Sequence, residues 1–349
     1  MTTTLASSAP TQAQSSPTAV EFNVQLQPLD LFRAERAIVW RQLRTLLGVA
    51  AAFVVFRAIM AESMLLLVEI GVISTFCFAI YAAFLYLGAR STVKTSKVLS
   101  GPIHYCLTQN ELLVSTPTSW SRQAWSNVHE LLETRSLLIL RSSSAQKNVV
   151  PKRCLAGGDV ERIRLFVRKG KVSNSGLPDG TAVTDSPLLA VRVKLAAEDL
   201  YWGFVTLLMR KSFWYAGQLA FSFVLIFMLN PQFLSPMAFV VVGGIFFLYL
   251  AVFLYYSSSK AIRTNAAYKS EIQYAFCESG LEASGPTFSF HHDWGNFQSV
   301  IETSRIFLLC PSNSQMLVIP RRSFAGTSQL QAWRQILRTH YHGKLSLKN

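Results

Sequence analysis

The chain has 349 residues, of which 50% are hydrophobic and 15% are charged, and its formal net charge is +14. This hydrophobic excess argues against an ordinary soluble protein and favours membrane-spanning segments. The positive charge predicts an anionic partner, either nucleic acid or the inner face of a membrane. The five cysteines form no Cys-x-x-Cys pair, which argues against a zinc or disulfide framework and favours a reducing compartment.

Four apolar segments, arranged in two pairs, predict two transmembrane hairpins. Each segment is close to the length that crosses a bilayer at about 1.5 Å per residue. In chain order we predict a disordered tail (1–20), a lead-in segment with the first hairpin (21–98, spans 45–60 and 65–88), a first soluble module (99–170), a linker (171–188), a second lead-in segment with its hairpin (189–264, spans 213–229 and 237–256), a second soluble module (265–342) and a tail (343–349).

The basic residues predict the orientation of the hairpins. Arg41 and Arg44 precede the first span, Arg210 and Lys211 precede the third, and neither hairpin tip contains a Lys or Arg. Positive flanks stay on the cytoplasmic side of a bilayer, so both termini and both soluble modules are expected in the cytoplasm. Much of the positive charge is then a topology signal, and we expect no nucleic-acid partner.

The chain repeats itself at an offset of 169 residues. Between 103–157 and 272–326, 18 of 55 aligned residues are identical and no gap is needed. The identities include a tryptophan, an asparagine two residues later, a Glu-Thr pair and a proline close to a basic pair. We interpret the chain as a tandem duplication of one unit, so a shared mechanism should use residues that are present in both copies.

Each soluble module is predicted to contain short antiparallel strands followed by one amphipathic helix. In the second module the strands turn at 278–280 and 302–304, and the last strand ends at Pro320. Apolar residues then recur at helical spacing: Leu330, Trp333, Ile336 and Leu337. The predicted fold class is therefore α+β, with two transmembrane hairpins, each followed by a small antiparallel β-barrel or sheet module with a C-terminal helix, as in pleckstrin-homology-like (PH-like) domains. We expect the two modules to pack as a pseudo-twofold pair.

The stretch IQYAFCESGLEASGPTFSFHHDWGNFQSVIETSRIFLLCPSNSQMLVIPRRSF (272–324) resembles the YcxB-like family of bacterial membrane proteins. The likeness lies in a strand ending at a Gly-Leu turn, a tryptophan before an amphipathic strand, a Glu-Thr step and an Ile-Pro-x-Arg-x-Phe close. The lead-in EDLYWGF (198–204) also fits, whereas the first copy departs at 110–111 and 150–155. The resemblance implies a PH-like domain anchored in a bacterial inner membrane, and it brings no established reaction.

Several repeated residues are candidates for a structural role. Tryptophans before amphipathic strands usually anchor a core, and glutamates at tight strand connections usually cap backbone N–H groups, although ligand stacking and acid–base chemistry are the alternatives. The residues interpreted as structural are Trp125, Trp294, Glu133, Glu302, Pro151 and Pro320.

Two basic pairs that follow the repeated prolines are the candidate binding residues. Lys152 and Arg153 in the first copy match Arg321 and Arg322 in the second. Paired cations at a barrel rim suit an anionic lipid headgroup or an acidic protein segment. The alternative is a solvated rim charge that only assists topology.

The triplet His291-His292-Asp293 looks like a metal site but is absent from the first copy. Adjacent histidines in a strand point to opposite faces, so we predict no metal, no cofactor and no catalytic residue. The predicted function is a membrane-anchored cytoplasmic binding or scaffold protein that is not an enzyme. Its predicted partners are the lipid bilayer and either anionic headgroups or an acidic protein segment. The alternative is a small transporter or channel component built from the duplicated hairpins.

Overall fold

In the computed structural model of the chain, the described residues are 19–38, 40, 86–93, 96, 99, 101–142, 147–172, 177, 186–210, 236–312 and 315–347. The first half contains β1 (Val20–Val24), α1 (28–38), α2 (86–93), β2 (Ile103–Leu107), β3 (Glu111–Thr116), β4 (Ser119–Ala124), β5 (Glu130–Glu133), β6 (Leu137–Arg141), β7 (Lys147–Pro151) and α3 (Asp159–Val172). The second half contains β8 (Leu189–Val193), α4 (Ala197–Arg210), α5 (Pro236–Thr264), α6 (Ala266–Lys269), β9 (Ile272–Phe276), β10 (Gly280–Gly285), β11 (Phe288–Asp293), β12 (Ser299–Glu302), β13 (Ile306–Cys310), β14 (Leu317–Pro320), α7 (Thr327–His340) and β15 (Lys344–Ser346).

The strands recur at the offset found in the sequence. Strands β1 to β6 begin and end 169 residues before β8 to β13. Alternating burial explains why these segments are extended, since Val20, Phe22 and Val24 of β1 are buried while the residues between them are exposed. The lead-in segments, which were predicted to introduce the hairpins, therefore supply sheet strands.

A single eight-stranded antiparallel sheet runs through both halves, in the order β1-β2-β3-β4-β11-β10-β9-β8. At its centre β4 pairs with β11, and we call this pairing the seam. Ser121 lies opposite Phe290, its own counterpart at the 169-residue offset, so the register is symmetric about this point. The halves thus meet edge to edge across an approximate twofold axis, in agreement with the expected pseudo-twofold pair.

Side chains of each half form hydrogen bonds with the other half at the seam. The amide of Asn296 donates to the Thr118 carbonyl at 2.6 Å, and the Thr118 hydroxyl donates to Asn296 Oδ1 at 2.9 Å. In the opposite direction, the amide of Asn127 donates to the Thr287 carbonyl at 3.4 Å. The asparagine that recurs in the sequence thus fastens each half to the hairpin turn of the other.

Each half encloses its own core behind the large sheet. In the first half, a three-stranded sheet in the order β5-β6-β7 covers the core. In the second half, a four-stranded sheet in the order β14-β13-β12-β15 covers the core, and β15 runs parallel to β12. The C-terminal helix of each half packs into the core. The helix residues buried there are Ile163, Phe166 and Val167 from α3, and Leu330, Trp333, Ile336 and Leu337 from α7. The four from α7 are those marked by helical spacing in the sequence.

The predicted fold class is wrong in two respects, the first of which concerns the sheets. We expected each soluble module to form its own small barrel or sheet. The described residues instead form three sheets, and the largest belongs to both halves. The reason is that β4 and β11 would each be an unpaired edge in an isolated module, and pairing them satisfies both rows of backbone groups.

The second correction concerns the membrane. Three predicted spans lie wholly or almost wholly outside the described residues: 45–60, 65–88 and 213–229. The fourth, 237–256, lies in α5, which becomes polar at Ser257 and continues to Thr264. Over the part of the chain that the structure describes, no helix is both long enough and apolar enough to cross a membrane. This finding overturns the predicted transmembrane hairpins and the predicted multi-pass localisation in an inner membrane.

Candidate functional site: a basic pocket in the second half

Arg322, one of the predicted binding residues, holds a buried aspartate. Its guanidinium makes two hydrogen bonds to the carboxylate of Asp199, whose side chain is 5% exposed, and a third to the Lys194 carbonyl at 3.3 Å. Asp199 also accepts a hydrogen bond of 2.7 Å from the Ala196 N–H at the start of α4. The contact fastens the end of β14 to the beginning of α4.

The first half contains the same clamp. Arg153 donates to both carboxylate oxygens of Asp30, at 2.8 and 2.6 Å, and to the Gln25 carbonyl. Burial by itself would raise the pKa of Asp30, but hydrogen bonds from Arg153 and the Gln27 N–H hold this pKa below its ordinary value. Losing either arginine would leave a buried carboxylate without its counter-charge, so the clamp stabilises the fold.

Lys152 is also engaged within the chain. Its ammonium lies 2.5 Å from one oxygen of Glu133, and Arg164 of α3 lies 2.6 Å from the other. These two hydrogen bonds lower the pKa of the Glu133 carboxyl. Three of the four predicted binding residues, Lys152, Arg153 and Arg322, therefore have carboxylate partners.

The glutamate and the threonine of the Glu-Thr step have different structural roles. Glu302 is buried and pairs with Arg334 of α7 at 2.6 Å, as Glu133 pairs with Arg164. The backbone cap that we expected from the glutamates is made by the threonines. The Thr303 hydroxyl accepts from the Ile306 N–H at 3.0 Å, and the Thr134 hydroxyl does the same for the Leu137 N–H.

The repeated tryptophans and prolines lie in or beside the cores. Trp125 is 1% exposed and donates its indole N–H to the Thr108 carbonyl at 2.9 Å. Trp294 is likewise buried and donates to the Cys277 carbonyl at 3.0 Å. Pro151 and Pro320, both buried, are the last residues of β7 and β14. Each proline thus places the basic pair that follows it at the end of a strand.

The fourth predicted residue, Arg321, lines a pocket of about 390 Å³ beside the start of α4. Three arginines, two carboxylates, a tryptophan and a serine surround it: Arg305, Arg321, Arg322, Glu198, Asp199, Trp202 and Ser304. Asp199 is neutralised by Arg322, which leaves two arginines against one exposed glutamate. Among the described residues, neither Arg305 nor Arg321 forms an ion pair with a carboxylate. The pocket therefore has an excess of unpaired positive charge.

The two unpaired arginines are neighbours across strands β13 and β14. The Arg321 N–H donates to the Arg305 carbonyl at 2.8 Å, just before the register in which Ile306 faces Pro320. The Arg305 guanidinium lies 4.8 Å from the ring centroid of Trp202 on α4. A cation over an aromatic face is attracted by the ring, so Trp202 fixes the position of this guanidinium.

The first half lacks this arrangement. At the 169-residue offset, Trp202 is replaced by Arg33, Arg305 by Ser136 and Arg321 by Lys152. The strand connection is the same, because the Lys152 N–H donates to the Ser136 carbonyl at 2.9 Å. The pocket is thus a property of the second half, built on a backbone that both halves share. Guanidinium groups match the geometry of carboxylates and phosphates, so this arrangement suits the binding of an anion.

The His-His-Asp triplet lies at the seam, away from the pocket residues. His291 Nε2 lies 2.9 Å from Asp293 Oδ1, its Nδ1 lies 3.5 Å from Glu282, and its ring stacks on Trp120 of the first half. Burial by itself would lower the pKa of His291, but the hydrogen bonds and charges of Asp293 and Glu282 raise it to about 9. Burial lowers the pKa of His292 to about 4. No cluster suited to a metal ion is found in the described residues.

Sequence reasoning missed Trp202 and Arg305 because neither recurs in the other copy. It also missed the clamp aspartates, although a signal was present, since Asp30-Leu31 and Asp199-Leu200 match at the same offset as the arginines. A carboxylate repeated in step with a repeated arginine is a hint of an ion pair. Only the structure shows that the pair forms.

Comparison with known proteins yields one distant relative. Over 105 residues, or 30% of this chain, the sequence is 25% identical to the uncharacterized protein YcxB of Bacillus subtilis (strain 168). The matched residues cover 57% of that protein, so the chain spans little more than half of its length. No protein-family model and no solved structure matches the chain. The similarity supports a loose YcxB-like relationship.

Proposed function

We propose that this protein is a non-catalytic binding or scaffold protein, and that the pocket of its second half binds an acidic protein segment. The observation that carries the proposal is the pair of arginines, Arg305 and Arg321, which line an open pocket without a carboxylate partner among the described residues. A carboxylate side chain would supply the missing counter-charge and accept the guanidinium hydrogen bonds.

The proposal includes a tandem duplication of a YcxB-like unit. Support comes from the common 169-residue offset of strands β1 to β6 and β8 to β13. It also comes from the two clamps, each of which joins an aspartate to an arginine 123 residues later. Within each half, strands in two sheets are followed by one packed helix, which is the order of elements in a PH-like domain.

The transporter alternative has no supporting observation. It depended on polar groups inside two transmembrane hairpins, and in the described residues no helix has the length and apolar character of a membrane span. The binding proposal depends only on described side chains in the second half.

Binding of a fluorescein-labelled oligoglutamate peptide to the full-length protein, followed by fluorescence anisotropy, tests the proposal. We expect saturable binding that weakens as salt is added, since exposed charges are screened. Arg321→Gln should weaken binding about tenfold, the effect of one charge-assisted hydrogen bond. It should leave the unfolding midpoint unchanged, because Arg321 holds no buried carboxylate.

The matched control is Arg338→Gln, which removes the same charge from the exposed end of α7. Equal losses for the two variants would show that only net charge matters and would contradict the pocket. Vesicles of anionic phospholipid form the comparison arm. Binding to vesicles with no binding to the peptide would reject an acidic protein segment as the ligand.

A further inference from the structure

We infer that the pocket selects acidic segments in which an aromatic residue stands two positions from the acidic residue, on the same face of an extended chain. This inference rests on the proposed function and specifies the partner of the same site. Two features of the pocket carry it: the position of the Arg305 guanidinium over the Trp202 ring, and the position of Arg321 beside Arg305 at the ends of β13 and β14.

The Arg305–Trp202 stack provides a flat surface for a ring. A guanidinium is planar and weakly hydrated, so it can stack on aromatic groups from both of its faces. Trp202 lies on one side of the Arg305 guanidinium, with its ring centroid 4.8 Å from the guanidinium carbon, and no other ring contacts this guanidinium among the described residues. Because Arg305 is an exposed residue, its other face is open to a ligand.

Trp202 is held in place before any ligand arrives. Its ring meets the ring of Tyr201 edge to face at 5.4 Å, and Tyr201 in turn packs against Tyr255 of α5 at 6.2 Å. Trp202 also packs on the apolar core of the second half. A preorganised platform costs little conformational entropy on binding, so stacking adds to affinity.

The position of Arg321 sets the distance between the aromatic ring and the carboxylate of the ligand. The Arg321 N–H donates to the Arg305 carbonyl at 2.8 Å just beyond the paired ends of β13 and β14, and both side chains line the same pocket. A ligand that stacks on Arg305 and pairs with Arg321 must therefore present its ring and its carboxylate within a few ångströms. Glu and Trp residues two positions apart in an extended peptide meet this requirement, because alternate side chains lie on the same face.

The test compares three labelled peptides of equal length in the same anisotropy assay with the full-length protein. One carries Glu and Trp two positions apart, the second carries Glu and Leu at these positions, and the third carries Gln and Trp. We expect the Glu–Trp peptide to bind about fivefold more tightly than the Glu–Leu peptide, which corresponds to one cation–π stack. Arg305→Lys keeps the charge but loses the planar stack, so it should remove this preference.

The outcomes separate the inference from the proposed function. Equal affinities for the Glu–Trp and Glu–Leu peptides overturn the inference and leave acidic-segment binding intact. An unchanged preference in Arg305→Lys also overturns the inference, because the ring then stacks elsewhere. If the Gln–Trp peptide binds as tightly as the Glu–Trp peptide, the carboxylate is not recognised and both conclusions fall.

Discussion

At the residue scale, the surroundings of a charged side chain decide what it does. Arg321 and Arg322 are adjacent, yet Arg322 is committed to the buried carboxylate of Asp199 while Arg321 faces a pocket. The first pair differs again, since Lys152 and Arg153 both have carboxylate partners. A basic pair in a sequence is therefore an incomplete description of a binding site.

His291 provides a prediction at this scale. Its pKa is raised from 6.5 to about 9, so protonated His291 stabilises the folded state fully below pH 6.5. This contribution, about 3 kcal/mol, is lost as the pH rises through 9. Chemical denaturation of the wild type between pH 6.5 and pH 10 should show this loss. His292 does not interfere, because with a pKa of about 4 it is neutral throughout this range.

The control for this prediction is His291→Gln, which keeps a polar side chain but cannot take up the proton. Its free energy of unfolding should be lower than that of the wild type at pH 6.5 and should change less as the pH rises. Parallel pH profiles for the two proteins would mean that His291 does not carry the charge that faces Glu282 and Asp293.

At the element scale, the C-terminal helix of each half is held by the same two devices. Apolar residues at helical spacing enter the core, and an arginine on the same helix pairs with the strand glutamate, Arg164 with Glu133 and Arg334 with Glu302. The helix α3 also passes close to the first of the repeated tryptophans. Gly170 lies so near that an added Cβ would be 2.1 Å from the Cβ of Trp125.

We therefore expect Gly170→Ala to destabilise the protein, although a glycine-to-alanine change in a helix usually stabilises it. Replacing glycine by alanine inside a helix generally stabilises it by about 1 kcal/mol. Here the methyl group would collide with a buried residue that cannot move freely, so we expect a loss of about 2 kcal/mol in the free energy of unfolding. Gly157→Ala is the matched control, because nothing lies within 4 Å of its added Cβ. Equal unfolding free energies for the two variants would show that α3 does not pack closely on Trp125.

At the scale of the whole molecule, the seam joins the two similar halves into one continuous sheet. The symmetric register of β4 and β11 converts two exposed sheet edges into the middle of an eight-stranded sheet. Asparagine and threonine side chains add hydrogen bonds on either side of the centre, and these bonds are unequal. Asn296 makes two bonds to Thr118, whereas Asn127 makes one long bond to Thr287.

This inequality predicts different costs for the same substitution at equivalent positions. Asn296→Ala removes two hydrogen bonds at a buried site and should cost about 2 kcal/mol, whereas Asn127→Ala should cost about 1 kcal/mol. Urea denaturation of both variants measures the difference, and each serves as the control for the other because both asparagines are buried. A larger loss for Asn127→Ala would contradict the bonding pattern at the seam.

The local structure of each soluble module and the pseudo-twofold arrangement of the halves could be predicted from the sequence, and the strand pairing that joins the halves could not. The turns at 278–280 and 302–304 and the helix after Pro320 are present where the pattern of apolar residues places them. The prediction of a separate barrel or sheet in each module failed because alternation shows that a segment is a strand but not which strand lies beside it. The transmembrane prediction used hydropathy alone and is contradicted by the described helices.

The sequence by itself determined the repeat, the strands and C-terminal helix within each soluble module and the buried face of the last helix, because these are read from residue patterns within the chain. Only the tertiary structure decided that β4 pairs with β11. It also decided that Arg322 pairs with the Asp199 carboxylate while Arg321 faces the pocket. The physical reason is distance along the chain. Asp199 and Arg322 are separated by 123 residues, and folding alone brings such partners into contact.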